Sequence, residues 1–141
     1  MIEFLPVPAS SVPDMWPLVL PHLAPSIALS RGRYEPEDVG ILCARGHMQL
    51  WIAGRGDDQV IGAMVTEIAV YPRKRVARTV FAGGTDLRRW YRLASDAVEA
   101  WGRSWGCQGL EACGRRGWGR LVGAEEDGTW IYRDIKPVGV H

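Results

Sequence analysis

Residues 75–106, RVARTVFAGGTDLRRWYRLASDAVEAWGRSWG, set the fold of this chain. They read as a strand over 76–82, a turn on Gly83 and Gly84, and a helix over 86–105. Leu87, Trp90, Ala94, Ala97, Trp101 and Trp105 recur at spacings of three and four, which places them on one helical face. Arg88, Arg89, Arg92, Asp96, Glu99 and Arg103 fall off that stripe. Thr85 or Asp86 can cap the first turn, and Gly106 can take the left-handed position after the last. A strand that runs through glycines into a helix start leaves backbone N–H groups unbonded, so this turn is a candidate anion site.

On the N-terminal side, 47–53, 59–71 and 76–82 read as strands joined by the turns 54–58 and 71–75, an antiparallel meander. The run 59–71 is rich in Val, Ile and Ala, as a central strand buried on both faces requires. Before it, Pro36 opens a short helix that Glu37 and Asp38 complement and Gly46 ends. The segment 15–29 is apolar and helix-like but carries Pro17, Pro21 and Pro25. The last two remove hydrogen bonds and clash with the preceding turn, which predicts two short helices or one kinked helix. Ser10 or Ser11 can cap it, and 2–7 reads as a first strand. On the C-terminal side, 108–113 and 129–134 read as strands, 116–122 as a weak helix and 137–140 as an edge.

The order is β-α-α-β-β-β-α-β-α-β: an α/β chain with a mixed, mostly antiparallel sheet of six or seven strands and three or four flanking helices. Its 141 residues suit a single domain. A net charge of +1 gives no overall pull toward nucleic acid. No 18-residue apolar segment is present, which argues against a membrane span, and the N-terminus lacks a basic, secretory-type start. Three cysteines without a C-x-x-C pair read as reduced thiols. Seven tryptophans are many for this length, and most are expected to be buried.

The element order resembles the GNAT (Gcn5-related N-acetyltransferase) fold over nearly the whole chain. The phrases WPLVLPHLAP, GRYEPEDV, VTEIAVYPRKR, FAGG, EACGRRGW and EEDGTWIYRDI resemble small GNAT-like proteins of tailed bacteriophages and prophages. In active members the turn before the long helix carries Arg/Gln-x-x-Gly-x-Gly/Ala, whose amides hold the pyrophosphate of acetyl-CoA. The matching residues here are Phe81-Ala82-Gly83-Gly84-Thr85-Asp86-Leu87, with two glycines kept, the leading Arg/Gln absent and Asp86 at the helix start. The resemblance therefore offers Gly83, Gly84 and Thr85 as cofactor-binding positions, with the Asp86 charge opposing an anion. The family's general-acid tyrosine, in Phe-Tyr-x-x-x-Gly-Phe, falls here on Gly119.

Glu67 lies inside the long apolar strand, and Glu111 lies between Leu110 and Ala112. GNAT enzymes place a glutamate on central strands, so both are candidate general bases; the plainer reading is a strand-face carboxylate with a solvent or arginine partner. Cys113 has no histidine in motif relation and reads as a core residue rather than a nucleophile. Arg73, Lys74, Arg75 and Arg78 form the densest basic cluster, with Tyr71 beside it, and Arg115, Arg116 and Trp118 sit in a glycine-rich turn. Arg and Trp are enriched in interface hot spots, so both groups are candidate protein-binding surfaces.

Taken with the phage-like phrases, these features favour a non-catalytic structural or accessory component of a bacteriophage particle. It would bind protein or self-assemble, use no cofactor, and be made in the bacterial host cytoplasm before entering the virion. The alternative is an acetyl-CoA-dependent N-acetyltransferase acting on an amine, with Gly83 and Gly84 at the diphosphate and Glu67 or Glu111 as base.

Overall fold

The computed structural model describes residues 1–56, 59–113, 125–127 and 130–136. Its centre is a seven-stranded sheet in the order β1-β2-β3-β4-β5-β7-β6. The strands are β1 (Ile2–Val7), β2 (Gln49–Arg55), β3 (Gln59–Val70), β4 (Arg75–Gly84), β5 (Gly109–Cys113), β6 (Glu125–Asp127) and β7 (Trp130–Asp134). Every neighbouring pair is antiparallel except β4 and β5, which the crossover helix α3 (Leu87–Ser104) joins in parallel. Helices α1 (Val12–Ala28) and α2 (Pro36–Ala44) follow β1. The short strand β6 has no counterpart in the sequence reading. The weak helix over 116–122 and the edge over 137–140 lie outside the described residues.

Two cores sandwich the sheet. On one face, Val12, Val19, Leu23 and Ile27 of α1 and Val39 and Cys43 of α2 pack on Val7, Leu50, Ala63, Val65 and Phe81. On the other, Trp90, Ala94 and Val98 of α3 pack on Phe4, Trp51, Ala53, Ile61, Met64 and Ala77. Phe4 stacks between Trp51 and Trp90 at centroid distances of 5.3 and 5.9 Å. Residues 61–66 of β3 are all buried, as the apolar run predicts for a strand covered on both faces.

Helix α1 overturns one expectation: it runs unbroken through Pro17, Pro21 and Pro25. The prolines recur every four residues, and with Pro13 they share the exposed face. The missing N–H groups and the pyrrolidine rings therefore face solvent, while Val12, Val19, Leu23 and Ile27 hold the helix down from the opposite side. Ser11 occupies the N-cap position without a side-chain cap bond. Helix α2 begins at Pro36 as expected, with a reciprocal capping box between Glu35 and Asp38.

Helix α3 is one residue shorter at each end than its sequence reading. Its buried stripe is Trp90, Ala94, Val98 and Gly102, a spacing of four that keeps to the sheet side. Trp105, expected on that stripe, follows the last helical residue and is 57% exposed. Gly106 takes the left-handed conformation as read.

Candidate functional site

β4 divides the molecule. Its residues 76–79 pair with 109–112 of β5, where Arg78 stands opposite Glu111. β5 ends at Cys113, whereas β4 runs on to Gly84, so 80–84 keep an edge that no described strand covers. A bulge falls at the divide. Phe81 pairs with Val65 and Thr79 with Thr66, which leaves Val80 as the extra residue. On the open edge the Ala82 N–H meets only a long contact, 3.3 Å, to the Ser26 hydroxyl of α1.

A polar row crosses the sheet beside the divide. The register aligns Glu67 of β3, Arg78 of β4, Glu111 of β5 and Tyr132 of β7. Ala77 faces α3, so alternation puts Arg78 and its row on the face of α1 and α2, past the strands those helices cover. Arg78 donates from Nη1 to Glu67 Oε1 (3.1 Å) and from Nε to Glu111 Oε2 (2.9 Å). Tyr71, at the end of β3, donates from its hydroxyl to the same Glu111 Oε2 (2.8 Å) and accepts from Arg78 Nη2. Glu111 and Glu67 are 15% and 24% exposed at the side chain, so the row is shielded yet reachable. Burial alone would lower the Arg78 pKa. Its bonds to Glu111 and Tyr71 outweigh that and raise it, so the guanidinium stays charged. Lys74 Nζ donates to the Tyr132 hydroxyl (2.6 Å), which donates to Asp134 Oδ1 (2.6 Å). Burial and the Asp134 bond push the Tyr132 phenol up.

The two sequence-derived glutamates are thus brought together by an arginine between them. No pattern in the chain pointed to Arg78, Tyr71 or Tyr132 as their partners. Of the basic hairpin, Lys74 is engaged with Tyr132 and Asp134, and Arg75 with Trp105 O and Gln108. Arg115, Arg116 and Trp118 lie outside the described residues, as does the side chain of Cys113. Cys43, pushed up to about 12 by burial, is no nucleophile.

The glycines do not form a turn. Gly83 and Gly84 are the last residues of β4, paired with Ala63 and Gly62. A Cβ on Gly83 would lie 2.0 Å from the His22 carbonyl oxygen, and one on Gly84 (φ +143°) 2.4 Å from Ile61 O and Gly62 Cα. Close backbone approach accounts for both. Only Thr85 and Asp86 link β4 to α3, and the Thr85 N–H is bonded to Ile61 O (2.8 Å). Asp86 sits at the N-cap in a left-handed conformation without capping, and its carboxylate pairs with Arg55. Among the described residues the Leu87 and Arg88 amides meet no acceptor, and the Arg88 and Arg89 side chains are exposed beside them.

No family model matches the chain, and no curated protein matches it in sequence. Solved structures do match in shape. A GNAT-family acetyltransferase from Brucella melitensis, in complex with acetyl-CoA, superposes at a TM-score of 0.60 with 14% identity, over 97% of this chain and 90% of its own. Aminoglycoside 6'-N-acetyltransferase from Acinetobacter baumannii gives 0.61 and 14%, over 100% and 97%. An agmatine N-acetyltransferase mutant gives 0.64 and 13%, over 94% and 99%. The chain has the GNAT fold. At these identities the likeness carries fold and not activity, and nothing in it bears on a bacteriophage origin. Among the described residues, no helix is long and apolar enough to cross a membrane and no group of His, Cys, Asp or Glu is set to hold a metal.

Proposed function

We propose that this protein is an acetyl-CoA-dependent N-acetyltransferase that acts on an amine. The observation that carries the reading is that the open edge of β4 starts beside the exposed start of α3 and ends at the polar row. The site fits the group. The Leu87 and Arg88 amides with the Arg88 and Arg89 side chains would hold the diphosphate. The Ala82 N–H on the open edge would meet an amide of the extended arm. Arg55 offsets the Asp86 charge that opposes an anion there. Bound acetyl-CoA would supply the acetyl group as a thioester. Glu67 and Glu111 would take the proton that an incoming ammonium must lose before its nitrogen can attack, directly or through one water. Arg78, with one positive charge between two carboxylates, leaves the row net negative and suited to a cationic acceptor.

A second reading keeps the fold without the chemistry, as a protein-binding accessory component of a bacteriophage particle. It is favoured by the linker, which is two residues long with one amide already spent, and by glycines that packing alone explains. Arg73, Lys74, Arg75, Arg115, Arg116 and Trp118 would then be interface positions.

Calorimetry with acetyl-CoA separates the two. Micromolar binding that Arg88→Glu with Arg89→Glu weakens at least about tenfold, with thiol release on a panel of primary amines, is expected for the enzyme. No heat at millimolar acetyl-CoA would sink it and leave the binding reading. Gly84 is not a usable probe, because its substitution disturbs β3 itself.

A further inference from the structure

Tyr71 has no part in the mechanism above, yet it is wired into the polar row. It stands where the β3–β4 hairpin closes, its N–H bonded to Lys74 O at 2.7 Å. Its hydroxyl reaches across β4 to β5 and shares one oxygen of Glu111, Oε2, with Arg78 Nε. The other oxygen, Oε1, has no donor among the described residues. We propose that Tyr71 is a positioning residue for the acetyl-transfer site: its hydroxyl fixes the Glu111 carboxyl so that Oε1 is the oxygen offered to the incoming ammonium. The proposal rests on the enzyme reading.

A carboxylate held by a single donor can turn about its last torsion and present either oxygen. Two donors on one oxygen, from different elements, remove that freedom. Arg78 approaches from the neighbouring strand and Tyr71 from the hairpin, so Oε2 is fixed from two directions. The hairpin itself is held down by Lys74 on Tyr132 and Asp134, and by Arg75 on the Trp105 carbonyl. Among the described residues, the charged and titratable groups around Glu111 include Glu67 from β3, Arg78 from β4, Tyr71 and Lys74 from the hairpin, and Tyr132 and Asp134 from β7. In the step concerned, an N–H bond of the substrate ammonium breaks, its electron pair stays on nitrogen, and the proton forms an O–H bond at Oε1, to be lost later to solvent.

Tyr71→Phe in the full chain tests this. The ring and the hairpin stay while the donor goes. An O–H donor favours the charged carboxylate. Its loss should therefore move the acidic limb of kcat/KM against pH, measured with acetyl-CoA and the best amine of the panel, to higher pH. With the carboxyl free to turn, kcat should fall about tenfold and the acetyl-CoA dissociation constant should not change. Tyr71→His, which keeps a ring donor, should recover part of both effects. If the wild-type chain turns over and Tyr71→Phe moves neither the limb nor kcat, the proposal is overturned and the enzyme reading stands. If the wild-type chain neither binds nor turns over acetyl-CoA, both fall together.

Discussion

Residues 75–79 and residues 80–84 belong to one strand but are built from opposite materials. The paired half is held by side chains: Arg78 between Glu67 and Glu111, Arg75 on Trp105 O, and Tyr132 across Gly109. Past Phe81, whose ring packs in the α1–α2 core, the open half is held by backbone: Gly83 against the His22 carbonyl, Gly84 against Ile61 and Gly62, the Thr85 N–H on Ile61 O. Side chains can vary and adapt, so charge and chemistry gather at the first half. Backbone contacts leave no slack, so the second half fixes where α1 and α3 stand relative to the open edge.

The largest expected effect comes from a methyl group placed where only backbone can yield. Gly83→Ala drives a Cβ to 2.0 Å from a helix carbonyl, and relief requires α1 to move off the sheet. We expect a loss of at least about 3 kcal/mol, read as a fall in the urea midpoint. Gly109→Ala, on β5 beside Val76 of the paired half, meets the Tyr132 ring and hydroxyl at 2.4–2.7 Å. That side chain can swing away at the cost of its bonds to Lys74 and Asp134, so the loss should be roughly 1–2 kcal/mol. Equal losses at the two glycines would dissolve the contrast between the halves.

The next effect tests the side-chain half by charge. Arg78→Met leaves Glu67 and Glu111 on one face without the cation between them. With a quarter of the side chain exposed, we expect a cost near 2 kcal/mol at pH 7, below that of a fully buried pair. Arg78→Lys, which keeps the charge, should recover part of that cost in paired denaturation curves; a loss as large as that of Arg78→Met would mean that the arginine acts by its planar fork and packing rather than by charge.

These two halves were unequally legible in the sequence. Period-two and period-four patterns are local, so β3, β4 and the buried face of α3 could be read from residue spacing, as could Pro36 at the start of α2. The polar row could not. Its members lie on four strands, Glu67 and Arg78 being 11 residues apart and Arg78 and Glu111 33, and only register brings them into line. Sequence did find both glutamates, because a carboxylate in an apolar strand stands out; it could not supply the arginine that answers them. Gly83 and Gly84 were legible as special but not as packed, since the obstacle to a side chain is the backbone of α1 and β3. The continuity of α1 was missed for a related reason. A proline in a helix is costly only where its ring meets a packed turn, and burial decides that.

The smallest expected effect bears most directly on what the open half binds. Asp86 sits at the start of α3, where a negative charge disfavours an incoming anion, yet Arg55 from the end of β2 answers it. The side chains are 40% and 41% exposed, so solvent screens the pair. A double-mutant cycle on Arg55→Ala and Asp86→Asn should give a coupling of about 0.5 kcal/mol in stability. Acetyl-CoA affinity should respond more clearly, and in opposite directions. Asp86→Asn removes a like charge and leaves Arg55 to face the diphosphate, so the dissociation constant should fall by a few fold. Arg55→Ala uncovers Asp86 and should raise it by a similar factor. Both shifts should fade together as salt is raised, because both charges face water. If Asp86→Asn weakens binding instead, the carboxylate positions the start of α3 for the ligand, and the open half works through side chains as much as the paired half does.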